Sequence, residues 1–284
     1  MKLTSILTGY FKLDGGAMFG IVPKRLWQQL HPADTDNLCT WAMRALLVET
    51  ANRRILIDTG IGNKQDEKFR SHFFPHHTDL LFTSLRQAGY TPSDITDVLL
   101  THLHFDHCGG ALWRDEMTQE VRPTFPGAVY WTNEVHYRWA TAPNAREKAS
   151  FLPENFQPLY ETGRLRFVPP EAAETEMWPG FRVRFAYGHT EAMMLPLLDI
   201  GGRTVVYCAD LIPSRWHVGL PYVMAYDVRP LLTLEEKARL LSEAAQRDYV
   251  LFFEHDPEVE AATVTLRPDG RFVLERTGAL ADLL

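Results

Sequence analysis

Short apolar runs, each stopped by a polar or glycine-rich step, recur along the chain, and their periods predict its elements. Residues 3–13 read as an opening strand that ends at Asp14, Gly15 and Gly16. Residues 44–49 and 53–58 read as two strands joined by a short turn at Ala51 and Asn52. Ile55, Leu56 and Ile57 are continuously apolar, as in a strand covered on both faces, and deliver Asp58 to a turn at Thr59-Gly60-Ile61-Gly62. Residues 63–77 are polar, aromatic and irregular, which predicts a lid or flap without regular structure. Leu80, Leu81, Ser84, Leu85 and Ala88 keep helical spacing, with Gly89 as the stop. Further strands are predicted at 97–101, 128–131, 164–168, 182–187, 193–200, 204–209 and 249–253, with a helix starting near Thr132-Asn133-Glu134. Thr233-Leu234-Glu235-Glu236 matches a capping box and predicts a helix over 233–246, with Leu234, Ala238, Leu241 and Ala245 on its buried side. A last hairpin turns at Pro268-Asp269-Gly270. Two blocks of strands, each leading into helices, fit an α/β fold: two mixed sheets face to face with helices outside, in a single domain over residues 1–284.

Composition narrows the classes. At 284 residues and 45% hydrophobic, the chain has material for a substantial core. A formal net charge of −7 argues against a nucleic-acid partner, which would call for a basic face. No run is long and apolar enough to span a bilayer, and the N-terminal residues lack a signal-peptide pattern, so a cytoplasmic location is expected. Cys39, Cys108 and Cys208 are odd in number and form no CxxC pair, so no disulfide framework is expected. Cys108 and Cys208 stand near candidate ligands and read as small buried residues rather than thiolate donors.

The chemistry is concentrated in Thr101-His102-Leu103-His104-Phe105-Asp106-His107. At strand spacing, His102 and His104 point the same way, and Asp106 and His107 curl back from a following loop. Imidazole nitrogens and carboxylate oxygens suit zinc and similar first-row cations. His189, Asp210 and His255 each stand where a later apolar run stops. With the cluster they make five histidines and two aspartates, enough for two ions that share Asp210. Asp58 is expected to brace the ligand loops through hydrogen bonds. His72, His76 and His77 read as solvated, and His31, His136 and His217 show no ligand pattern, although His217 lies close after Asp210.

This constellation resembles the metallo-β-lactamase superfamily over residues 44–255. The resemblance implies an αβ/βα sandwich and a ligand split in which His102, His104 and His189 hold one ion, Asp106, His107 and His255 the other, and Asp210 bridges. Zinc is the expected metal, with iron, manganese or cobalt as alternatives. The implied reaction is hydrolysis by a metal-bridging hydroxide, with Asp106 passing a proton to the leaving alkoxide. No GxSxG elbow offers a serine nucleophile instead.

Residues 14–24 also resemble an N-terminal signature of quorum-quenching lactonases in this superfamily, which open N-acyl-homoserine lactones. Met18, Phe19, Ile21 and Val22 would then line a groove for an acyl chain, or else form a packed edge of the first sheet. Such lactonases carry a tyrosine three residues after the bridging aspartate; here Pro213 stands there, leaving Tyr222 or Tyr226 to replace it. A lactone or ester is the expected small-molecule substrate, and a homodimer the expected assembly. Three alternatives share the scaffold: an organophosphate or phosphodiester hydrolase, which residues 216–222 resemble, a β-lactam-cleaving enzyme, and a one-iron oxidoreductase needing only His102, His189 and Asp210.

Overall fold

The computed structural model describes residues 1–170 and 173–284. The chain runs β1 (Lys2–Asp14), α1 (Gly15–Phe19), α2 (Lys24–Trp27), β2 (Leu38–Glu49), β3 (Arg54–Ile57), α3 (Glu67–Phe73), α4 (Leu80–Gln87), β4 (Asp97–Leu99) and α5 (Phe105–Cys108). There follow β5 (Leu112–Arg114), β6 (Val121–Pro123), β7 (Val129–Thr132), α6 (Glu134–Thr141), α7 (Gln157–Glu161) and β8 (Leu165–Phe167). The rest comprises β9 (Glu174–Trp178), β10 (Phe181–Ala186), β11 (Met193–Ile200), β12 (Arg203–Tyr207), α8 (Pro230–Arg247), β13 (Val250–Phe252), β14 (Ala261–Leu266), β15 (Phe272–Gly278) and α9 (Leu280–Leu283). Two compact units form, one from Met1–Phe11 and Ala42–Ala172, the other from Lys12–Trp41 and Ala173–Leu284.

In the first unit the sheet order is β1-β2-β3-β4-β7-β8, with β3, β4, β7 and β8 parallel and β2 antiparallel to β3. The central parallel strands β3 and β4 are short and almost wholly buried, as covered strands are. Leu56, Val98, Leu100 and Tyr130 join Leu81, Leu85 and Phe156 in its core. Each such side chain contributes roughly 1.5–3 kcal/mol of burial. Leu103, between the paired histidines, sits in the same core and anchors the loop that carries them.

In the second unit the order is β15-β14-β13-β12-β11-β10-β9, antiparallel except for the β12–β13 pair. β9 is polar and was not foreseen; Glu174 on it pairs with Arg182 and Arg184 on β10 at 2.5 Å. β5 and β6 form a small separate hairpin that was also not foreseen.

Three expectations change. Residues 63–77 contain α3: Asp66 accepts the Phe69 amide at 2.7 Å as an N-cap, and Phe69 and Phe73 pack on Phe105 with ring centroids 4.9 and 4.7 Å apart. α8 starts at Pro230, before the supposed capping box, because proline is pre-shaped for the first helical position. Its buried side is Thr233, Lys237, Leu240, Leu241 and Ala244. Lys237 can face inward because its ammonium donates to the carbonyls of His217, Gly219 and Tyr222 at 3.1, 3.1 and 2.7 Å. Finally, residues 15–19 form α1, capped by Asp14, which accepts the Ala17 amide at 2.7 Å. Met18, Phe19 and Val22 are buried while Ile21 is 90% exposed, so the apolar patch divides. Phe19 stacks on Trp27 and on His217, both with centroids 5.2 Å apart, which makes most of the patch packed structure.

Among the described residues, no helix is long and apolar enough to cross a membrane.

Candidate metal centre

In the first unit the donors follow the C-terminal end of β4. His102 and His104 lie in the loop beyond the strand rather than on it, and His104 precedes α5. Their rings still converge, with centroids 4.5 Å apart, and His102 lies 3.8 Å from His107. Asp106 and His107 are on α5, a single helical turn, rather than in a loop. The Asp106 carboxylate is 3.7 Å from His107 Nε2.

Asp58 sets the tautomers of two of these rings. Its carboxylate accepts the Thr101 amide and the Thr101 hydroxyl, both at 2.7 Å. The threonine has thereby used its only hydroxyl proton, so its 3.1 Å contact with His102 Nδ1 must be donated by the ring. His107 Nδ1 likewise donates to Asp58 at 3.1 Å. Both rings then present an unprotonated Nε2, the form that binds a metal. Asp58 itself has φ +60°, a left-handed conformation that costs about 1 kcal/mol or more for a non-glycine residue and is held by these bonds.

The next residues clamp the same segment. Thr59 donates its amide and hydroxyl to the His107 carbonyl at 2.8 and 2.9 Å. Buried Lys64 donates to the Leu112 carbonyl at 2.6 Å and to that of Gly109. Two glycines permit this approach, since a Cβ at Gly109 would strike the Ile61 carbonyl and one at Gly110 that of Thr59. On the other side His136 Nε2 accepts the Leu103 amide at 2.8 Å. Buried Glu147 lies 3.6 Å from His104 Nε2 and accepts from Trp139 and Asn144 at 2.7 and 2.6 Å. Sequence reasoning gave His136 no role and missed Lys64 and Glu147. Only the Asn133-x-x-His136 spacing, a helix N-cap, hinted at a fixed position for the histidine.

In the second unit the donors follow β10, β12 and β13. The parallel β12–β13 pair sets Tyr207 beside Phe252, so the turns beyond both strands open at the same edge. There Asp210 offers one oxygen to each of two rings: Oδ2 is 3.0 Å from His189 Nε2, and Oδ1 is 3.1 Å from His255 Nε2. Ala209, just before it, has φ +43°, again strained for a residue with a Cβ. His189 Nδ1 is 2.7 Å from the carboxylate of buried Asp227, another residue missed at the sequence level. Burial pulls the His189 pKa down, but Asp210 and Asp227 overcome it and push it up to about 10. A proton held between an imidazole and a carboxylate occupies donors that also suit a divalent cation.

None of the seven donors is more than 7% exposed. Buried carboxylates and imidazoles in this density call for a cation, and their chemistry fits zinc and its neighbours. Histidine and aspartate side chains that could hold a metal ion are contributed by both units. The cysteines are buried free thiols. Burial pushes Cys39 up to about 11 and raises Cys108 and Cys208 as well, so they stay protonated, as expected of packing residues.

Comparison with known proteins agrees with this chemistry. A probable metallo-hydrolase of Mycobacterium tuberculosis is 26% identical over 243 residues, covering 75% of this chain and 71% of the relative. An N-acyl homoserine lactonase of Bacillus thuringiensis is 24% identical over 244 residues, covering 81% of this chain and 86% of the relative. The crystal structure of a probable metal-dependent hydrolase from Staphylococcus aureus superposes with a TM-score of 0.85 at 28% identity over 97% of each chain. The profile of the metallo-β-lactamase superfamily matches residues 44–255, which contain all seven donors. The chain therefore belongs to the metallo-β-lactamase superfamily, has its mixed-sheet α/β fold, and is a metallo-hydrolase.

Proposed function

We propose that the chain opens lactone rings of the N-acyl-homoserine lactone kind, with two zinc-class divalent ions, and that residues 1–284 make up one catalytic domain. The substrate class is carried by the likeness to the B. thuringiensis lactonase, which extends over most of both chains. The resemblance of residues 14–24 to a lactonase signature supports it. In the proposed split, His102, His104 and His189 hold one ion, Asp106, His107 and His255 hold the other, and Asp210 is shared. The two-sided contacts of Asp210 with His189 and His255 support the sharing.

When bound, such a pair lowers the pKa of a water toward neutrality and polarises a carbonyl oxygen. The remaining work falls to the chain. Asp58 keeps the Nε2 atoms of His102 and His107 unprotonated. Asp106 holds the proton that water gives up and delivers it to the departing ring oxygen. Water adds to the carbonyl carbon, the ring C–O bond breaks, and a hydroxy acid leaves.

The test is the metal-loaded chain with a panel of N-acyl-homoserine lactones and a paraoxon-like phosphotriester, followed by proton release. Lactone opening is expected. Turnover of the phosphotriester with none of any lactone overturns the proposal.

A further inference from the structure

We infer that Asp227 is a positioning residue, which holds His189 in the one tautomer and orientation that offer Nε2 to a cation. The inference rests on the metal reading proposed above. Asp227 is 1% exposed and its Oδ1 lies 2.7 Å from His189 Nδ1, so the ring donates Nδ1–H to a charged acceptor. That bond assigns the opposite nitrogen, Nε2, to the side where Asp210 stands 3.0 Å away.

The carboxylate is not loosely placed. The Val228 amide donates to the His189 carbonyl at 3.2 Å, and the Arg229 amide to that of Gly188 at 2.9 Å. The Arg229 guanidinium donates to the Tyr187 carbonyl at 2.6 Å. From α8, the Glu236 carboxylate accepts the amides of Tyr187 and Gly188 at 2.8 and 3.0 Å. Gly188 is needed here, because a Cβ would collide with Thr233. Residues 187–189 and 227–229 thus form one braced unit, with a carboxylate at one end of it and the candidate ligand at the other. A carboxylate behind a ligating imidazole fixes the ring and raises its donor strength; losing one typically weakens metal binding about 10- to 100-fold. The charges of Lys237 and Glu236 also interact with that of Asp227.

The experiment strips the whole chain with a chelator and titrates it with zinc against a chromophoric competitor. A parallel titration with cobalt(II) is read by its visible spectrum. Asp227→Asn keeps the size and an acceptor oxygen but removes the charge; Asp227→Ala removes both. Asp199→Asn, at the exposed position near the end of the otherwise buried β11, serves as the control. The expected result is zinc affinity weakened about 10-fold or more in Asp227→Asn, with altered cobalt bands, while Asp199→Asn matches the unsubstituted chain. Unchanged zinc affinity and an unchanged cobalt spectrum in Asp227→Asn overturn the inference, and that variant decides the matter even if Asp227→Ala fails to fold. An unsubstituted chain that takes up neither metal overturns the metal reading itself, a separate and distinguishable failure.

Discussion

Replacing His217 with glutamine should flatten the acid side of the stability curve. His217 is fully buried. Its Nε2–H donates to the Met18 carbonyl at 2.9 Å, and its Nδ1 accepts from the Ser214 hydroxyl at 2.7 Å. The ring is neutral in this setting, and burial pushes its pKa from 6.5 down to about 3. A group whose folded pKa is depressed contributes stability above its unfolded pKa and loses it as pH falls. Between pH 6.5 and pH 5 the unfolded chain therefore binds a proton at this residue that the folded chain refuses. About 1.5 pH units at ~1.36 kcal/mol per unit is roughly 2 kcal/mol. Urea unfolding of the metal-free chain and of His217→Gln, at pH 7.5 and pH 5, measures this directly. The variant should lose about 2 kcal/mol less than the parent between the two pH values, although it starts lower because two hydrogen bonds are disturbed. Every other ionisable group is common to both chains, so the difference isolates this ring. Equal losses in both chains would refute the claim that His217 is held neutral.

Further outcomes follow from the same geometry. Asp58→Ala leaves the Thr101 and His107 donors without their shared acceptor and should destabilise the chain by about 3 kcal/mol or more in urea unfolding; a cost under about 1 kcal/mol would contradict the bracing role. Gly110→Ala puts a methyl against the Thr59 carbonyl and should cost about 1–3 kcal/mol in the same assay, whereas a neutral effect would mean the two segments do not meet. His104→Ala and Asp210→Ala should abolish turnover and lower bound metal by elemental analysis, and full activity in Asp210→Ala would exclude a shared ligand. Asp106→Asn should reduce turnover while leaving the unfolding midpoint close to that of the parent.

Four of the candidate donors could be picked out because they crowd into residues 102–107, and His189, Asp210 and His255 because each stands where an apolar run stops. Asp58 was legible for the same reason, at the end of Ile55-Leu56-Ile57. The groups that hold the donors were not. Asp227 lies 38 residues from His189, and His136 lies 33 from Leu103, so only the fold brings them together. The helix α8 was found but its face was misplaced, because a buried lysine breaks the apolar stripe that marks a buried side. Lys237 is tolerated there by three carbonyls from residues 217–222, which no helical period reveals. The polar β9 and the β5–β6 hairpin escaped notice because strand patterns depend on apolar alternation, and ion pairs take its place in β9.

The central claim is that these buried imidazoles and carboxylates exist to hold a pair of cations. Metal stoichiometry of the purified chain, before and after chelation and reconstitution with zinc, tests it most directly. Two divalent ions per chain, lost with the lactone-opening activity and restored with it, is the predicted result. A chain that retains activity with no bound metal, or that binds a single iron, contradicts it.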